Sequence, residues 1–298
     1  MSANDPKWSR RSQHSRLDPT LIACYFHGET SCRGWPWPGE FAMNRREMVA
    51  GNYMFLQVSR IIALFACTLA FHCSCTAAEV RTEEFTVEVK GRTLAIMRYA
   101  AEGVNTRPAV LMLHGARGFG VGHLAYVESA TTLAVNGIDA YLVSYFGPGE
   151  SVACSRMASC FDAWTETVAD VTTAILKRPE SSGRVGLLGF SLGGAVAFAS
   201  ARDPRVGAAV IFYGFIIPGN WRAGPGRFAP LLVLHGDNDN IVPLSAGREL
   251  VKDALARGGR AEIVVYPGQP HGFSTWSRPI AIEAVERMTA FFRSELIQ

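Results

Sequence analysis

Charged residues are scarce in this chain, 18% against 48% hydrophobic, which leaves ample material for a buried core and excludes wholesale disorder. The net charge of +3 resides in the first 78 residues, where eight Lys and Arg face five acids; residues 79–298 carry 21 of each sign. A neutral body without a run of basic residues has no electrostatic footprint for a phosphate backbone, so no nucleic-acid partner is expected. Cysteine is nearly missing from that body too: of seven in the chain, only Cys154 and Cys160 lie beyond residue 78. No other Cys or His stands close to them in sequence, which disfavours a metal site. Apolar runs of the roughly 20 residues that span a bilayer do not occur. No internal repeat, low-complexity tract or long linker interrupts residues 79–298.

What is present divides the chain in two. Ile61–Phe71 reads IIALFACTLAF, preceded by Arg60 and followed by small residues ending in Thr76-Ala77-Ala78, the pattern of a secretory signal and its cleavage site. Cleavage after Ala78 and export to a periplasm or the exterior are expected, with no stable membrane association afterwards. The alternative is an uncleaved anchor over residues 61–78. Met43, Met48 and Met54 each stand where a conventional signal can start, so residues 1–42 are expected to be a gene-model extension or an unstructured leader. In an oxidising compartment Cys154 and Cys160, six residues apart, are a candidate disulfide closing a short loop, against the alternative of two free thiols.

Residues 79–298 are read as one domain. Glu84–Lys90 and Arg92–Tyr99 alternate in polarity around Gly91, which predicts an opening antiparallel hairpin. Ala109–Leu113, Ile138–Ser144, Val185–Leu188, Val206–Phe212 and Leu231–Leu234 are short apolar runs of the kind found in strands buried on both faces, and Glu262–Tyr266 adds another strand. Helical period occupies His123–Asn136, Asp162–Lys177, Leu192–Arg202, Leu244–Arg257 and Pro279–Glu295. Strand and helix therefore alternate from residue 109 onward, predicting an α/β fold with a mainly parallel sheet flanked by helices. Function in such sheets gathers at the carboxyl ends of the strands.

Chemistry-bearing residues stand at those ends. Gly189-Phe190-Ser191-Leu192-Gly193 joins a strand to a helix, and a serine raised on so sharp a turn needs small residues two before and two after it. A serine hydroxyl requires a base, and the base requires a carboxylate that fixes its tautomer. Both follow in order: a strand runs into His235-Gly236-Asp237-Asn238-Asp239, and another into Pro270-His271-Gly272-Phe273. By position either Asp237 or Asp239 can be the acid; His271 is the candidate base. His235 and His114, at the ends of buried strands, are read as local hydrogen-bonding residues, and His123 as a surface or capping residue. An oxyanion formed on Ser191 needs two N–H donors. Leu192, directly after the serine, offers one, and Ala116 in the glycine-rich turn His114–Gly120 is the choice for the other. That turn can equally serve only as a tight connection.

These segments resemble the dienelactone hydrolase family of α/β-hydrolases over most of residues 80–295. Arg184–Ala195, Phe212-Tyr213-Gly214, His235–Pro243 and Pro270–Phe273 carry the resemblance. It implies the α/β-hydrolase fold without a large lid domain, Asp239 as the acid, His271 as the base, and no cofactor or metal. Members that open dienelactones typically carry cysteine as nucleophile and glutamate in the oxyanion loop; here Ser191 and Gly115 stand at those positions. The resemblance is therefore to a serine branch acting on assorted small esters or lactones. Phe119, Tyr145, Phe190, Tyr213, Trp221 and Phe273 are expected to line an apolar substrate pocket. The rival readings are a peptidase or amidase on the same fold and a non-catalytic binding protein; oligomeric state is left open. If cleavage follows Ala78, N-terminal sequencing of the exported protein reads Glu79 first, and a mature chain beginning well before Glu79 contradicts it.

Overall fold

A computed structural model describes residues 79–103, 106–147, 158–217, 227–273 and 278–297. The chain runs β1 (Val80–Val89), β2 (Arg92–Ala101), β3 (Arg107–Leu113), α1 (His123–Val135), β4 (Asp139–Val143), α2 (Ala158–Leu176), β5 (Ser181–Phe190), α3 (Leu192–Ser200), β6 (Val206–Phe212), β7 (Leu231–Gly236), α4 (Leu244–Ala256), β8 (Ala261–Tyr266) and α5 (Arg278–Leu296), with a short 3-10 turn at His271–Phe273. The eight strands of the described residues form one sheet in the order β1-β2-β4-β3-β5-β6-β7-β8. The expected hairpin opens it: Val89 pairs with Arg92 across Lys90-Gly91, both at positive φ, as a two-residue turn matched to strand twist requires. β2 then pairs antiparallel with β4, and every later pairing is parallel.

The apolar runs form strands covered on both faces, and their period of two separates the core into two layers. Leu111, Ile211 and Val233 point into a layer closed by Trp164 of α2, Phe198 of α3 and Leu250 of α4. Their neighbours Met112, Val210 and Leu232 point into the other, closed by Leu133 of α1 and Met288 and Phe292 of α5. Ala78–Gln298 form one compact unit. Among the described residues no helix is long and apolar enough to cross a membrane.

Three elements begin four residues before the sequence reading placed them: β1, at Val80, and β5 and α2. β5 begins at Ser181, not Val185, because Ser181 pairs with Arg107 before a register shift near Gly183, whose φ is 82°. The polar start reads as a turn because it lies at the exposed end of the strand. α2 begins at Ala158, four residues early, because Cys160 and Phe161 already turn inward to the core.

The amino ends of the central strands carry a charge network far from their carboxyl ends. Asp139 is 1% exposed and receives the guanidinium groups of Arg98 (Nε at 3.0 Å) and Arg107 (Nη1 at 3.2 Å). Glu83 of β1 and Glu180 extend it through Arg98, at 3.1 and 3.3 Å, so the antiparallel hairpin is tied to the parallel sheet. Asp139→Ala takes the carboxylate from the buried Arg107 and leaves Arg98 only the more exposed Glu83 and Glu180, and it is expected to cost about 3–5 kcal/mol in denaturant unfolding; a loss below about 1 kcal/mol would show that the network is mere surface pairing.

Candidate active site

The site is built where β5 meets α3. Ser191 has φ 53° and ψ −115°, a strained conformation for a residue with a side chain. Its neighbours explain how the strain is held. A Cβ on Gly193 would lie 2.2 Å from the Leu113 carbonyl oxygen, and one on Gly189 would lie 2.3 Å from the Gly193 oxygen. Strand, turn and helix therefore touch backbone to backbone. Ser191 N–H donates to the Phe212 carbonyl at 2.9 Å, and every residue of α3 is buried, so the turn is anchored on both sides.

Three of the predicted side chains meet in a row. Ser191 Oγ is 2.9 Å from His271 Nε2, and His271 Nδ1 is 2.7 Å from Asp239 Oδ2. The carboxylate can only accept, so Nδ1 carries the proton and Nε2 is left to accept the serine hydroxyl. Asp239 Oδ1 takes the backbone N–H groups of Ile241 at 2.9 Å and Val242 at 2.8 Å, which fixes the carboxylate plane. Asp237 does other work: its Oδ1 accepts the Gly268 N–H at 2.6 Å, stitching the loop after β7 to the loop after β8. Asn238 N–H adds a bond to the Gln269 carbonyl at 3.2 Å, and a Cβ on Gly236 would lie 2.0 Å from that same oxygen. The ring of Tyr213 packs on His271 at 63° with centroids 4.9 Å apart. Among the described residues, no group of three or more His, Cys, Asp or Glu side chains converges as a metal site.

The loop after β3 borders the serine: a Cβ on Gly115 would lie 3.7 Å from Ser191 Cβ. Gly115 N–H donates to the Tyr126 hydroxyl at 3.0 Å, while the Gly115 carbonyl accepts from His114 Nδ1 at 2.7 Å and from Gly118 N–H at 3.0 Å. Tyr145 completes the support by donating its hydroxyl to the His114 carbonyl at 2.9 Å. Tyr126 escaped the sequence reading because an aromatic residue on the inner stripe of a helix signals only core.

The aromatic lining needs correction. Tyr145 and Phe273 are 0% exposed and Phe190 is 2% exposed, so these three back the site and offer no open pocket surface. Position at a strand end does not say into which layer a side chain turns: Phe190 stacks on Phe212 at 4.9 Å, and Tyr145 stacks on His114 at 4.4 Å. Phe119 is part-buried against His114 and Tyr126, and Tyr213 is 6% exposed. Trp221, Cys154 and the segment 61–78 lie outside the described residues.

A parallel sheet with an antiparallel opening, a serine on a strained strand-to-helix turn, and an acid and a histidine after the next strands together define an α/β-hydrolase. Comparison with known proteins narrows this: a profile of the dienelactone hydrolase family matches residues 96–296, and the chain belongs to that family. A carboxymethylenebutenolidase of Pseudomonas putida is 32% identical over 113 residues, covering 37% of this chain and 48% of its own length. The chain spans about half the length of the curated relatives it matches. Among solved structures, a dienelactone hydrolase-like promiscuous phosphotriesterase from metagenomic libraries superposes with a TM-score of 0.63 at 18% identity, covering 73% of this chain and 99% of that one. An esterase of Pyrobaculum calidifontis gives 0.60 at 19%, covering 81% and 92%.

His114 and His235, 2% and 0% exposed, both have pKa values held below 6.5 by burial. In the unfolded chain they take up protons near 6.5; in the folded protein they resist until lower pH, so falling pH favours unfolding. The urea midpoint is expected to drop as pH is lowered from 6.5 toward 5, above the range where carboxylates titrate. A flat midpoint across that window contradicts the two histidines being buried and neutral.

Proposed function

We propose that the protein hydrolyses small carboxylic esters or lactones through an acyl-enzyme on Ser191. The observation that carries this is the unbroken row from Ser191 Oγ to His271 to Asp239, at 2.9 and 2.7 Å. His271 Nε2 takes the hydroxyl proton as Oγ attacks the carbonyl carbon, and the imidazolium that forms is supported by Asp239. The proton then passes to the leaving alcohol. Water, deprotonated by the same nitrogen, attacks the acyl carbon and releases the acid, returning the proton to Ser191.

The developing oxyanion is assigned to the backbone N–H groups of Leu192 and Ala116. Leu192 is the first residue of α3, where amides lack intrahelical partners. Gly115 has already given its N–H to Tyr126, which supports the next amide of the loop, Ala116, as the second donor. Phe119 and Tyr213 are the described aromatic residues retained as substrate contacts. Serine as nucleophile and the missing side chain at Gly115 favour assorted small esters over dienelactone itself. The names of the similar proteins, carboxymethylenebutenolidase and esterase, fit a lactone or ester substrate.

Export is part of the proposal: the segment Ile61–Phe71 directs the chain out and is removed after Ala78. Support comes from β1, which begins at Val80, just beyond the proposed cut. A Cys154–Cys160 disulfide suits that compartment, and the reading is supported by Cys160 lying buried in the first turn of α2. Ser191→Ala should lower kcat on p-nitrophenyl acetate at least about a thousandfold while the protein stays folded. Activity that persists, or turnover confined to chromogenic amides, replaces the esterase reading with a non-serine route or a peptidase.

A further inference from the structure

Two imidazoles approach the Asp239 carboxylate, and only one of them reaches Ser191. His271 Nδ1 stands 2.7 Å from Oδ2, and His235 Nε2 lies 3.6 Å from the same oxygen. His235 sits near the end of β7 with no exposed surface. Its Nε2 is 2.9 Å from the Val242 carbonyl oxygen, and a carbonyl can only accept, so Nε2 carries the proton and Nδ1 the lone pair. Val242 in turn gives its own N–H to Asp239 Oδ1 at 2.8 Å. A chain of contacts thus leads from the second imidazole, through one residue, to the carboxylate.

The other side of the ring is shaped to match. α4 turns Gly247 toward it, where a Cβ would come 2.5 Å from Nδ1 and 3.1 Å from Cγ. Glycine weakens a helix interior relative to alanine, and here it makes the room the ring occupies. Nδ1 is buried and has no hydrogen-bond partner among the described residues. A proton placed there would be an unsolvated charge, so the ring stays neutral and leaves the carboxylate's charge to His271.

We infer that His235 is a positioning residue, whose Nε2–H holds the Val242 turn so that Asp239 keeps one oxygen on backbone amides and presents the other to His271. This rests on the catalytic row proposed above. A histidine that only filled space would affect stability and leave the chemistry of the folded protein unchanged. Loss of the Nε2 donor frees the turn, lets the carboxylate rotate, and weakens support for the imidazolium in the transition state, not for bound substrate.

The test uses three variants of the full protein. His235→Leu removes the donor, His235→Gln restores an N–H near the Nε2 position, and Gly247→Ala presses on the ring from the Nδ1 side. Readouts are kcat and KM on p-nitrophenyl acetate, and the far-downfield proton resonance of the His271–Asp239 hydrogen bond. His235→Leu is expected to lose about 10–100-fold in kcat with KM within about twofold, and to lose or broaden that resonance, by the scale of outer-shell orienting residues. His235→Gln should keep the resonance and stay within about fivefold of the parent rate, and Gly247→Ala should lower kcat and displace the resonance. Wild-type kcat and resonance in folded His235→Leu overturn the inference, as does an equal loss in His235→Gln; if His235→Leu does not fold, an unperturbed Gly247→Ala protein overturns it. Should the parent hydrolyse no ester, the esterase proposal fails while the resonance comparison still decides the role of His235.

Discussion

At residue 193 a helix lies so close to a strand that backbone meets backbone. A Cβ on Gly193 would lie 2.2 Å from the Leu113 oxygen, inside any tolerable contact. This approach forces the turn at Ser191 into positive φ and lifts its side chain above the carboxyl end of the sheet. Such strain persists only where surrounding structure over-determines it. Here α3 is buried along its whole length, and Ser191 N–H is bonded to the carbonyl of Phe212 on the next strand. The position of Ser191 is thus a product of core packing, and the remaining groups have only to reach it.

They reach it on loops that are tied to each other. The loops after β7 and β8 are joined by Asp237 to Gly268 and by Asn238 to Gln269, and the contact at Gly236 leaves no room for a side chain between them. Asp239 and His271 therefore share one support, and the distance between them does not depend on two independent segments. The loop after β3 is held separately by Tyr126, Tyr145 and His114. Rigid support of this type places reacting groups without an entropic cost at the moment of reaction.

What could be read in the sequence follows from which physical signals are local. Strands covered on both faces appear as unbroken apolar runs, so Ala109–Leu113 and Val206–Phe212 declare themselves, and Gly189 records a steric demand made within five residues, by the Gly193 oxygen. The choice between Asp237 and Asp239 is different. Both suit a turn, and only the fold shows that one faces Gly268 and the other faces His271; family resemblance, not local pattern, had favoured Asp239. Aromatic residues at strand ends were harder still, because Phe190 and Tyr145 turn into the layers of the core. Tyr126 and His235 act through a single polar atom on an otherwise buried ring, and periodicity carries no sign of where that atom points.

The most direct measurement is intact-mass and peptide-level spectrometry of the protein quenched within milliseconds of mixing with a p-nitrophenyl ester. A covalent path predicts a burst of nitrophenol matched by one acyl group on the peptide that holds Ser191, formed only when His271 is present. Nitrophenol released with no acyl group on that peptide, or an acyl group on another residue, would contradict it.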